Sequence, residues 1–165
     1  MSKDYVLIAD TILQRLRELG SPERAEQETK YFKGTVNCLG TGLPAVQKLE
    51  REMFGDQWKN WTLSDAFSLC DVLFEVRILE VTLFGLEFLS RFAGKMGESE
   101  FDKCEQWLAA NLIDSWASVD SLGPHVLGVI VRNHPGLVPR VAGWTGSENR
   151  WLRRASAVTF ILLAL

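Results

Sequence analysis

Cysteine is scarce in this chain and poorly placed for cross-linking: Cys38, Cys70 and Cys104 are odd in number and form no Cys-x-x-Cys pair. That argues against a disulfide framework and a cysteine zinc site, and favours a reducing compartment. Histidine is scarcer still, and His125 and His134 lack Cys, Asp or Glu partners at ligand spacing, so no metal centre is expected. Long apolar runs are missing, and no stretch reaches the roughly 20 residues of a membrane span. The opening Met-Ser-Lys-Asp leads into an amphipathic pattern and not into the apolar core of a signal peptide. Together these absences predict a soluble, cytoplasmic protein. The alternating pattern of β-strands is absent too. Between Gly34 and Pro44 stand three glycines, but no strand precedes them and no Lys-Ser/Thr ending follows, which excludes a phosphate-cradling P-loop.

What is present is helical periodicity. Val6, Leu7, Ala9, Ile12, Leu13 and Leu16 recur at three/four spacing over 3–19, and Gly20 supplies a stop. Ser21-Pro22-Glu23 then reads as an N-cap with proline at the first helical position, opening a helix to about Phe32. Further helices are predicted at about 44–54, 64–74, 74–93, 99–111, 115–132, 136–144 and 148–163. Pro124 falls inside the pattern that starts at Trp116 and should kink or break it; Pro135 and Pro139 mark the next boundaries. The chain reads as all-α, a single domain over 1–165 with a generous aromatic load for its core. Val76–Phe84 also aligns with Arg153–Ile161, matching Arg77 to Arg154 and Val81-Thr82 to Val158-Thr159. The separation is about twice the ~40-residue period of HEAT-type repeats, although amphipathic helices also match by chance.

Charge is unevenly spread. The net charge is −3, yet from Ile130 onward Arg132, Arg140, Arg150, Arg153 and Arg154 face the single carboxylate Glu148. A locally basic face of this kind suits nucleic acid, and equally suits a solvated charged surface. Within that setting, Trp116 and Asp120 stand four residues apart, which stacks ring and carboxylate on one helix face. Trp151-Leu152-Arg153-Arg154 opens a later helix with paired guanidiniums. Cations at a helix start oppose its dipole, so at least one of these arginines needs an acidic or phosphate partner. A carboxylate, a flat ring and arginines on rigid helices could hold a phosphate backbone and stabilise a sugar cation. Taken alone, Trp116 also fits core packing and Asp120 a solvated helix position. Phe160–Leu165 ends the sequence with no polar face, which suggests a truncated solenoid or a partner over that edge.

The ordered set Pro22-Glu23-Arg24-Ala25-Glu26, Tyr31-Phe32-Lys33, Leu39-Gly40, Ser115–Ser121, His134-Pro135 and Asn149–Ala155 resembles the AlkD-type DNA alkylation-repair glycosylases. The Trp-x-x-x-Asp element followed by Trp-Leu-x-Arg is its specific part. The resemblance implies a HEAT-like helical-repeat solenoid, with Asp120 as catalytic aspartate and Trp116 as an active-site tryptophan. It implies that Arg154, with Arg153, holds phosphates, and that Tyr31 and Lys33 belong to an N-terminal element facing the DNA groove. Ser115 and Ala117 depart from the bulkier or acidic neighbours usual around the tryptophan, implying a looser pocket. The family's second active-site tryptophan would lie beyond Leu165.

That resemblance implies excision of cationic alkylated purines, such as 3-methyladenine and 7-methylguanine, from double-stranded DNA, without metal or organic cofactor. Two other functions fit the residues: a non-catalytic relative that binds distorted or branched DNA, and a helical protein-interaction scaffold. Residue spacing by itself reaches only a helical protein with a possible nucleic-acid face.

Overall fold

A computed structural model describes residues 3–164, so Leu165 of the apolar C-terminal stretch lies outside the described residues. The fold is all-α, with consecutive helices in a repeat-like arrangement and no strand among the described residues. It divides into two compact units, Met1–Leu89 and Ser90–Leu165.

The first unit holds α1 (Tyr5–Leu19), α2 (Pro22–Tyr31), α3 (Leu43–Phe54), α4 (Leu63–Glu75) and α5 (Leu79–Ser90). Short polar side chains start these helices as the sequence suggests: Asp4 accepts the Leu7 amide, Ser21 the Arg24 amide and Thr62 the Asp65 amide. Helix α1 packs Ile12 and Leu16 fully inside, against α3 and α4. The centre of this unit is α5, buried from Leu79 through Leu86. Around it an aromatic cluster closes, with Phe54 at 4.4 Å from Phe88 and 5.3 Å from Trp61.

The sequence pattern predicts helices at about 64–74 and 74–93, and the chain separates them by a short break at Val76–Ile78. Arg77 takes a left-handed conformation (φ 59°) there, and Asn37 binds both sides of the break. Arg77 therefore precedes its helix whereas Arg154 lies inside one, so the matched segments differ in local structure. The glycine-rich loop has a structural use. Its Leu39 and Gly40 amides donate to Oε1 of buried Glu80 at 2.8 Å, so the anion it cradles is the protein's own carboxylate.

The second unit holds α6 (Glu98–Ala109), α7 (Trp116–Leu122), α8 (Gly128–Asn133), α9 (Val138–Gly143) and α10 (Arg150–Val158). Phe101 stacks on Trp144 at 5.4 Å in a core completed by Trp107, Ile113, Val119, Leu122, Val126 and Ile130. At Pro124, where a kink or break is expected, the α pattern is interrupted although the helical path continues. The chain passes from α7 to α8 through one π turn, Gly123–Leu127, which accommodates the proline by widening. Helix α10 ends at Val158, five residues before the predicted boundary, and Ile161–Leu163 form a 3-10 turn. No helix among the described residues is long and apolar enough to cross a membrane.

Candidate active site

Helix α7 begins at a double serine cap. Ser118 N–H donates to Ser115 Oγ at 3.0 Å, Ser115 N–H donates to Ser118 Oγ at 3.2 Å, and both side chains are buried. This reciprocal box satisfies amide groups that a helix start otherwise leaves unpaired. It fixes the first residue of the helix, Trp116, and explains why a small serine stands at 115: the position is a cap. Trp116 is 39% exposed, so its ring is not buried in the core.

Four residues on, Asp120 meets Arg154 of α10. Arg154 Nε donates to Oδ1 and Nη2 to Oδ2, both at 2.6 Å. This fork-to-fork pairing is the strongest geometry available to a carboxylate and a guanidinium. The hydrogen bonds to Asp120 raise the Arg154 pKa above its ordinary value, which keeps the guanidinium cationic. Both side chains remain partly exposed, at 37% for Asp120 and 41% for Arg154. A charge pair held this way at a surface adds little to stability, since water screens it. Its structural consequence is to orient the carboxylate on α7 while leaving the Nη1 edge of Arg154 for another acceptor.

Arg153, its neighbour, takes a different course. Its Nη1 donates to the carbonyls of Ser147 at 2.7 Å and Glu148 at 2.8 Å, folding the side chain back over the entry to α10. That contact answers the dipole problem locally: the cation sits on carbonyl oxygens outside the helix. Arg150 lies over the Trp151 ring at 4.3 Å, which places Trp151 in a structural cation–π contact.

Sequence reasoning missed the residue that sets α10. Asn149 Oδ1 accepts the amides of Trp151 at 2.8 Å and Leu152 at 3.3 Å, while its Nδ2 donates to the Leu108 carbonyl at 3.2 Å. The signal was available, because asparagine ahead of an amphipathic run is a favoured N-cap. Tyr31 and Lys33 belong to the first unit, at the end of α2. Tyr31 is 69% exposed, and Lys33 adopts a left-handed φ of 54° as α2 ends. Among the described residues no trio of His, Cys, Asp and Glu is placed to hold a metal ion.

Charge divides with the units. Residues 90–165 carry eight Lys and Arg against seven Asp and Glu, so the acidic excess of the chain lies in residues 1–89. The unit that holds Trp116, Asp120 and Arg154 is thus the one least repelled by a polyanion.

No curated protein matches this chain closely enough to serve as a relative. The family model described as DNA alkylation repair enzyme matches residues 12–164, a span that includes both capped helices and the Asp120–Arg154 pair. The chain belongs to the DNA alkylation repair enzyme family.

Proposed function

We propose that this protein is a DNA glycosylase of base excision repair that hydrolyses the N-glycosidic bond of cationic alkylated purines in duplex DNA. The observation that carries this reading is the Asp120–Arg154 pair, rigidly forked yet open to solvent, one helical turn from the exposed ring of Trp116.

Alkylation at N3 of adenine or N7 of guanine makes the base cationic and a good leaving group, so departure needs no strong general acid. The enzyme must stabilise the sugar cation and provide a water molecule. The Asp120 carboxylate suits both tasks, first as a fixed negative charge and then as the acceptor that orients the attacking water. Trp116 packs against the deoxyribose, where ring attraction grows as positive charge develops on the sugar. Arg154 holds the carboxylate through Nε and Nη2 and offers Nη1 to a phosphate. Arg153 adds positive charge at the same helix start, and Tyr31 and Lys33 supply further backbone contacts. Such contacts position the duplex without reading its sequence.

One observation favours a second reading. Both Asp120 oxygens already accept hydrogen bonds from Arg154, which suits a purely structural pair in a non-catalytic protein that binds distorted DNA. Incubation with methylated duplex DNA separates the two. A glycosylase releases 3-methyladenine or 7-methylguanine in proportion to enzyme. A binding protein retains the DNA, with affinity falling steeply as salt rises, and releases neither base.

A further inference from the structure

We infer that the π turn at Gly123–Leu127 is the device that positions the Asp120 carboxylate, with Gly123 and Gly128 as positioning residues. The inference builds on the reading of Asp120 as the working carboxylate. Pro124 follows Asp120 by four residues. In an unbroken α-helix the amide at 124 would donate to the Asp120 carbonyl; proline has no such N–H, and its ring collides with that carbonyl. The chain answers with a single wider turn, closed by the Gly128 N–H donating to the Gly123 carbonyl.

The widening changes which residues share a face. Five residues apart on an α-helix means roughly 140° apart, so Gly123 and Gly128 would point to different neighbours. Across the π turn they meet the same short stretch at the end of α10, Val158 and the capping residue Thr159. A Cβ on Gly123 would lie 2.6 Å from Val158 Cγ2 and 3.3 Å from the Thr159 nitrogen; one on Gly128 would lie 2.7 Å from the Thr159 carbonyl oxygen. Both are closer than packed atoms tolerate, so the Val158 side chain and the Thr159 backbone reach these points only because neither glycine has a side chain. Asp120 with Arg154, Gly123 with Val158 and Gly128 with Thr159 form one line of contact along two helices running in the same direction. The glycine contacts set the separation of α7 from α10, and that separation gives Asp120 and Arg154 two 2.6 Å hydrogen bonds at once.

The test replaces Gly123 by alanine and follows the Arg154 Nε–H by ¹⁵N–¹H NMR in the DNA-free protein, alongside single-turnover base release and DNA affinity. In Gly123→Ala the Nε–H signal should move toward that of a solvated arginine and exchange faster. Base release should slow by about tenfold or more, as for other small displacements of a reacting group, with DNA affinity held within about threefold. Adding Val158→Ala removes the atom that the new methyl meets and should restore both the resonance and the rate. Gly143→Ala, which adds a methyl in open space, should change neither. An unmoved Arg154 resonance in folded Gly123→Ala overturns the inference, as does a double variant that fails to recover or to fold. If the parent protein releases no base, the glycosylase reading fails, and the resonance still decides the positioning role.

Discussion

The Asn149 side-chain amide reaches Asn111 Oδ1 at 3.0 Å, so the residue that starts α10 is tied to the residue that closes α6. Asn149 thereby serves two helix ends at once, since its own oxygen caps α10. Asn149→Ala removes both links. Loss of stability of about 1–2 kcal/mol is expected from the cap and its partner bonds, read from urea unfolding. Asn149→Asp keeps the capping oxygen and loses the donor, and should fall between the two.

Arg154 should matter more for function than for stability. The pair with Asp120 is more than a third exposed, and such pairs contribute at most about 1 kcal/mol. Arg154→Ala is therefore expected to unfold close to the parent temperature while binding DNA more weakly, with the salt slope reduced by about one. Arg154→Lys should not restore base release, because an ammonium cannot grip both carboxylate oxygens in a fork. Thermal unfolding and DNA titrations at several salt concentrations measure the two effects separately.

Ser115→Ala opens the serine box at the start of α7. The helix start loses about 1 kcal/mol, and the Trp116 ring loses its fixed base. Urea unfolding reads the first effect and Trp116 fluorescence quenching the second. Greater quencher access than in Ser118→Gly, which leaves the Ser115 oxygen in place, is the expected order.

Two carboxylates give opposite pH signatures. Asp65 is held well below its ordinary value of 3.8 by the Tyr5 hydroxyl, the Thr62 amide and Lys3. Its contribution is full above that value and is lost as the pH falls through the depressed pKa. Glu28 is raised above its ordinary 4.5 by burial and by the neighbouring Glu80 carboxylate. Its ionisation therefore opposes folding as the pH rises from the unfolded toward the folded pKa. Asp65→Asn should cost stability at neutral pH and flatten the acid limb of the unfolding curve. Glu28→Gln should add stability at neutral pH, with the gain fading below the ordinary carboxylate range.

Much of the fold was legible because the helix signals are local. Ser21-Pro22 and Gly20 mark boundaries that the structure keeps, since capping and backbone preference act within a few residues. A helix boundary near 74 was legible, but the left-handed turn at Arg77 was not, because it is fixed by Asn37, forty residues away. Pro124 was read as a kink or break; the α pattern is interrupted there, and that the interruption takes the form of a π turn was not legible from the sequence. At the candidate site, Trp116, Asp120 and Arg154 could be singled out, and helical spacing put the first two on one face. That Asp120 and Arg154 meet depends on packing between helices, which no spacing rule contains. Arg153 has the same residue type at the adjacent position, and only the structure separates their partners.

The most direct test of the account is single-turnover release of 7-methylguanine and 3-methyladenine from methylated duplex DNA by the parent and by Asp120→Asn. The amide keeps the size of the side chain and loses its charge. The account predicts release by the parent and a loss of about a hundredfold or more in the variant, with DNA affinity little changed. Release that persists at the parent rate in Asp120→Asn would contradict it.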